Sequence, residues 1–147
     1  MADALKVSRG SFYWHFADVG DFKRQVLENW RELATERVIQ ELEEDDVESN
    51  RLGRLMHRAM SNKHELDRAV RLWAADEEEV AAVVASVDAR RVDFITNLLV
   101  ASGVDQSEAP GRARFIYWAY LGRSIVTGEH EVIEASTMDG ISHLLQT

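Results

Sequence analysis

The chain has 147 residues, a net charge of −9 and no cysteine. This length suits a single domain, and the lack of cysteine excludes disulfides, thiolate metal sites and a cysteine nucleophile. One proline and eight glycines are too few turn-forming residues for an all-β fold. No apolar run approaches the roughly 18 residues of a membrane span, and no secretory signal pattern follows Met1. We therefore expect a cytoplasmic protein without a membrane partner.

The acidic charge is concentrated in one short block. Residues 41–48 (ELEEDDVE) hold six acids and no base, whereas residues 1–40 hold six of each. Such a block is typical of a solvated helix end and loop. Because affinity for nucleic acids depends on lysine and arginine meeting phosphates, the neutral N-terminal end is the better candidate for contact with DNA.

The N-terminal residues 2–16 (ADALKVSRGSFYWHF) predict the end of one helix, a tight turn and a second short helix that Ser8 caps. This second helix would turn Arg9, Ser11, Tyr13 and His15 outward. Arginine can bind guanine through two hydrogen bonds, and hydroxyl groups can bind phosphates. The pattern is therefore suited to a major groove.

Helical periodicity continues through most of the chain. Asp18, with Asp21 near N3, is predicted to cap one long helix, whose inner face would hold Phe22, Val26, Trp30, Leu33, Ala34, Val38, Ile39 and Leu42. Two amphipathic helices follow over 52–60 and 66–74.

Three further helices are predicted in the C-terminal half. Asp76 with the following glutamates resembles a capping box for a helix that carries apolar residues from Val80 to Leu99 and ends at Gly103. Ser107 is predicted to cap the next helix, with Pro110 in its first turn. A final helix covers 138–145.

The helix at 109–126 contains an uninterrupted apolar and aromatic run from Phe115 to Leu121. In so short a chain the core can cover only one side of such a helix, so we expect the other side to meet a second copy of the chain. The alternative is a purely central core helix. The predicted homodimer seam consists of Trp118, Leu121, Gly122, Ile125, Ile141, Leu144 and Leu145.

The stretch from Val7 to Phe16 resembles the recognition helix of the TetR family of transcriptional repressors. Asp18, Asp21 and Phe22 resemble the start of that family's long connecting helix, and the segments 65–76 and 87–91 also look similar to family members. The resemblance implies an all-α, TetR-like fold. An incomplete helix-turn-helix DNA-binding domain would cover 1–20, and a helical ligand-binding and dimerisation domain would cover 21–147.

The resemblance also implies DNA-binding roles for residues at matching positions. Base edges would be read by Arg9, Gly10 and Tyr13, and the sugar-phosphate backbone would be contacted by Ser11, Trp14, His15 and Lys23. Ser8 also belongs to the predicted DNA-binding residues. For Tyr13 and Trp14 the alternative is packing of the small domain against the connecting helix.

Two departures from the family pattern affect the functional prediction. Lys6 stands at a turn position where glycine is usual, and Met1 falls inside the expected second helix of the DNA-binding domain. We expect a DNA-binding repressor that is N-terminally shortened and impaired in binding operator DNA. The alternative is a ligand-binding or protein-interaction dimer that has lost DNA binding.

No catalytic motif is recognisable, and the five histidines form no HExxH pair. We therefore expect no enzyme activity, no metal and no cofactor. The resemblance implies a small hydrophobic effector that binds between helices and releases the DNA. Its candidate pocket residues, for each of which ordinary core packing is the alternative, are Met56, His57, Met60, Trp73, Phe94, Tyr117 and Tyr120.

Overall fold

The computed structural model describes residues 18–44, 50–61, 65–125 and 134–146, and within these ranges every regular element is a helix. The predicted all-α class is confirmed. The α-helices are α1 (Val19–Arg31), α2 (Arg37–Glu44), α3 (Arg51–Ser61), α4 (Glu65–Ala74), α5 (Glu78–Ala101), α6 (Ala109–Ile125) and α7 (Ala135–Gln146). A π-helical turn, Glu32–Glu36, joins α1 to α2.

The first long helix begins as its sequence predicts. The Asp18 carboxylate accepts a hydrogen bond of 2.7 Å from the Asp21 backbone N–H, so Asp18 is the N-cap of α1. The predicted long helix extends through Leu42 as expected, but a π-helical turn interrupts its α-helical geometry. At the π-helical turn the Arg37 N–H donates to the Glu32 carbonyl, five residues back, so the chain carries one extra residue in that turn.

The ends of α5 differ in how well they were predicted. Gly103 follows its C-terminus with a φ of +96°, a conformation that glycine adopts without steric cost, and this stop is confirmed. The predicted cap at Asp76 was wrong, because Glu77 is the N-cap and makes no side-chain capping bond.

The start of α6 also differs from its prediction. Pro110 lies in the first turn of α6, as expected. The preceding turn is held by the Asp105 carboxylate, which accepts hydrogen bonds from the Ser107 N–H and hydroxyl. Ser107 therefore supports this turn as a donor.

Two clusters of buried residues hold the helices together. The larger one joins α2, α3, α5 and α6 around Leu52, Phe94 and Leu99. The smaller one joins α1, α4 and the first half of α5 around Trp30, whose side chain has no exposed surface. In sequence, the π-helical turn connects α1, which belongs to the smaller cluster, to α2, which belongs to the larger one.

Helix α6 is covered on one face and open on the other. Ala113, Ile116 and Tyr117 are buried, whereas Phe115 and Trp118 are 64% and 66% exposed. Their outer face also holds Gly111 and Gly122, and a Cβ added to either glycine would meet no atom within 4 Å. The apolar run is thus covered on only one side by the described part of this chain.

Among the residues described, no helix combines the length and the apolar character needed to cross a bilayer.

Candidate ligand-binding site

A cavity of about 230 Å³ lies between two groups of elements. One group is α1, the π-helical turn and α2, and the other is helices α3 to α6. Most of its wall is apolar, and its polar groups come from the π-helical turn, α4, α5 and α6. The lining residues are Trp30, Leu33, Ala34, Thr35, Val38, Ile39, Leu55, Met56, Arg58, Ala59, Met60, Leu66, Asp67, Arg91, Ile95, Ile116, Tyr117 and Tyr120.

Asp67 is the buried anion of this site, with only 5% of its surface exposed. Its Oδ1 accepts hydrogen bonds from Trp30 Nε1 at 3.1 Å and Arg91 Nη1 at 3.0 Å. Its Oδ2 accepts from Arg71 Nε at 3.0 Å. Burial raises the pKa of the Asp67 carboxyl, but Arg91 and Arg71 more than offset this, so the pKa lies below its ordinary value. Asp67 is therefore an ionised, fully engaged acceptor at neutral pH.

A second carboxylate, Asp88, extends the network along α5. Arg71 binds it through two hydrogen bonds, of 3.0 Å from Nη1 and 2.6 Å from Nη2. The Tyr117 hydroxyl donates to Asp88 Oδ1 at 2.6 Å and accepts from Arg71 Nη2 at 2.8 Å. Burial raises the pKa of Tyr117 above its ordinary value, so this phenol is neutral at physiological pH. The arrangement joins α4, α5 and α6 through charge-assisted hydrogen bonds.

Arg91 connects the network to the π-helical turn. Its Nε donates to Thr35 Oγ1 at 2.9 Å, and its Nη2 donates to the Ala34 carbonyl at 3.3 Å. The guanidinium carbon also lies 5.5 Å from the Trp30 ring and 5.8 Å from the Tyr120 ring, within the range of cation–π attraction. One side chain on α5 thus holds the turn, the cavity wall and the buried carboxylate of Asp67 together.

Four of the seven predicted pocket residues line this cavity, namely Met56, Met60, Tyr117 and Tyr120. The Tyr117 and Tyr120 rings are stacked with centroids 5.7 Å apart.

The other three predicted pocket residues lie elsewhere. His57 is exposed on the outer side of α3. Phe94 is buried in the larger core cluster, and Trp73 packs at the edge of the smaller one. Their helical positions alone did not distinguish the cavity wall from the core beside it.

Of the predicted DNA-contacting residues, only Lys23 lies within the described part of the chain. Its amine forms an ion pair with Glu77 and lies 5.6 Å from the centre of the Trp73 ring. The remaining positions lie outside the described residues, as does most of the predicted domain 1–20. They are Ser8, Arg9, Gly10, Ser11, Tyr13, Trp14 and His15.

The predicted dimer seam is only partly described. Trp118 and Gly122 are exposed on α6, Leu121 is half-buried against the larger core cluster, and Ile141 on α7 is 38% exposed. Helix α7 packs against α3. The side chains of the other seam residues lie outside those described: Ile125, Leu144 and Leu145.

The polar half of the cavity was missed by sequence reasoning. Its members occur as two pairs at helical spacing, Asp67 with Arg71 and Asp88 with Arg91, which is also the spacing of ordinary surface ion pairs. Only the packing of α4 against α5 turns these pairs toward each other. One feature of the sequence could have indicated that the pairs are buried, because each pair lies beside a valine of the core, Val70 or Val87.

Comparisons of the chain with protein-family models, with curated proteins and with solved structures found no match. Within the described ranges, no group of three or more histidine, aspartate or glutamate side chains is placed to hold a metal ion.

Proposed function

We propose that this chain is a transcriptional regulator of the TetR type, a cytoplasmic homodimer that represses by binding an operator and is controlled by a small hydrophobic effector. The proposal combines the DNA-reading pattern of Val7 to Phe16 with the ligand-sized cavity in the helical body.

The observation that carries the proposal is the continuity between the cavity and the helix that follows the DNA-reading segment. Trp30 at the end of α1 and Leu33 to Thr35 in the π-helical turn form one wall of the cavity. A ligand that displaces this wall acts on α1. The N-terminal end of α1, at Asp18, lies two residues after Phe16 in the sequence. A repressor needs such a link, because its effector can shift DNA affinity only by favouring one of two arrangements.

The open face of α6 supports the dimer. Phe115 and Trp118 lie one turn apart on it, exposed, beside Gly111 and Gly122. Glycines that leave open space within their own chain allow a second helix to approach closely, and large exposed aromatic side chains supply the apolar surface that a stable interface buries. In such a dimer the two DNA-reading helices would enter successive major grooves, about 34–36 Å apart.

The test is selection of duplexes from a random DNA library by the product of the complete reading frame that encodes this chain. We expect enrichment of a palindrome whose half-sites lie about one helical turn apart. Failure of the complete product to enrich any sequence would reject the repressor function.

A second candidate is a ligand-binding or protein-interaction dimer without DNA binding. The ion pair between Lys23 and Glu77 favours it, because the amine that would bind a phosphate is already engaged by a carboxylate of this chain. The chain's acidic net charge also favours this second candidate. This candidate predicts dimerisation and ligand binding with no enriched sequence in the same selection.

A further inference from the structure

We infer that the cavity takes an uncharged, flat, largely apolar molecule about the size of a two-ring aromatic compound. The inference deepens the proposed function, on which it rests for the role of that molecule as effector. It follows from three properties of the cavity, namely its charge balance, its volume and the chemistry of its walls.

The charges at the cavity cancel one another. Asp67 and Arg91 both face it, and they are paired at 3.0 Å. The third charged group of the lining, Arg58, forms an ion pair with Glu41 at the solvent-exposed side. Behind the wall, Arg71 bridges Asp67 and Asp88. The described part of the site therefore holds no uncompensated charge.

This balance disfavours ionic ligands of either sign. An anion beside the Arg91 guanidinium would also lie near the Asp67 carboxylate, and a cation beside Asp67 would lie near Arg91. In both cases the ligand loses its hydration and meets a repulsive charge at close range. The polar atoms of these side chains already have partners, so a ligand gains most by burying apolar surface.

The volume sets the size of the ligand. An apolar protein cavity of about 150 Å³ holds one benzene ring, so 230 Å³ has room for about nine non-hydrogen atoms by the same proportion. Tyr120, which is half-buried and stacked on Tyr117 with ring centroids 5.7 Å apart, presents an aromatic surface to this space. Offset stacking on such a ring favours a flat molecule over a branched one of equal volume.

The experiment measures binding to the 147-residue chain by isothermal titration at pH 7 with three probes that share the naphthalene ring system. They are 2-naphthol, which is neutral, 2-naphthoate, which is an anion, and 2-naphthylmethylammonium, which is a cation. We expect 2-naphthol to bind at least tenfold more tightly than either ion. Equal or tighter binding of an ion overturns the inference, and so does the absence of binding by all three probes.

Two variants locate the binding. Ala59 is half-buried and lines the cavity, so Ala59→Phe fills it, whereas Ala69→Phe makes the same change on an exposed surface of α4. We expect 2-naphthol binding to be lost in the first variant and unchanged in the second. Met60→Trp fills the cavity from a neighbouring position and replaces Ala59→Phe if circular dichroism shows that variant to be unfolded. Binding that persists in a folded, filled variant overturns the inference.

This test is independent of DNA. Naphthol binding that follows the expected pattern supports the ligand class even if no operator is found, in which case only the repressor function is rejected. Operator binding without naphthol binding supports the repressor function and overturns the ligand class.

Discussion

Arg91 Nη1 on α5 lies 3.0 Å from Asp67 Oδ1 on α4, and these side chains are only 10% and 5% exposed. The same guanidinium reaches Thr35 in the π-helical turn. Three separate segments are therefore joined by one ion pair with little access to water. A pair of this kind is costly to break from one side, because the charge that remains is buried without a partner.

The first prediction concerns this pair. Asp67→Asn is expected to lower the free energy of unfolding by about 3–5 kcal/mol, the usual cost of leaving a buried charge uncompensated. The measurement is chemical denaturation at pH 7. Glu108→Gln is the matched control, because Glu108 pairs with Arg112 on the exposed side of α6 and such pairs contribute about 0–1 kcal/mol. Equal losses in both variants would contradict the prediction.

The ionisation of Asp67 also makes the free energy of unfolding depend on pH in the acidic range. Its pKa is lower in the folded chain than its ordinary value, so its contribution is present above a pH of about 4 and disappears as pH falls through the folded pKa. We expect the Asp67→Asn variant to lose less stability than the wild type on acidification from pH 5 to pH 2. Parallel stability curves over this range would count against an ionised, paired Asp67.

The ionisation of Tyr117 makes the free energy of unfolding fall as pH rises in the alkaline range. Burial raises its pKa, so its contribution is complete below the unfolded pKa of about 10 and is lost as pH rises further. Tyr117→Phe should therefore lose less stability than the wild type between pH 9 and pH 11.5, as measured by urea unfolding. At pH 7 the same variant should be less stable by about 1–3 kcal/mol, since Asp88 loses a hydrogen-bond donor.

The π-helical turn should depend on its contact with Arg91. Thr35→Val keeps the shape of the buried side chain and removes the oxygen that accepts from Arg91 Nε, whereas Thr35→Ser keeps that oxygen. We expect faster amide hydrogen exchange across residues 32–36 in the valine variant and near-normal exchange in the serine variant. Unchanged protection with valine would show that the turn is held by other contacts.

The open face of α6 makes a prediction about assembly. Trp118→Glu should convert a micromolar dimer to a monomer in sedimentation velocity, because it places a charge at the predicted interface. Leu72→Glu is the control, since Leu72 is equally exposed, at 64%, but lies on α4. A wild-type monomer, or a dimer that tolerates the Trp118 change, would exclude this face as the seam.

The sequence anticipated those features of the fold that depend on neighbouring residues. The cap at Asp18 and the stop at Gly103 were predictable because each follows from one side chain or one backbone angle. The π-helical turn was not, since its extra residue is accommodated where Arg91, far along the chain, binds Ala34 and Thr35. Periodicity shows which residues face inward, but it carries no information about which inward-facing residues surround empty space.

The candidate site likewise has one part that the sequence predicted and one part that it did not. Met56, Met60, Tyr117 and Tyr120 were predicted to line a pocket because they lie on helices that match the ligand-binding helices of the family that the chain resembles. Asp67 and Arg91 were not predicted, because their charges indicated solvent until the packing of α4 against α5 showed their partners.

The most direct measurement of the central claim is the affinity of the complete reading-frame product for its selected duplex, compared with that of the Arg9→Ala and Tyr13→Ala variants by fluorescence anisotropy. We predict that both variants lose sequence-specific binding, that they remain dimers in sedimentation, and that the wild-type complex weakens steeply with added salt. Unchanged affinity in both variants would contradict the claim that Val7 to Phe16 reads DNA.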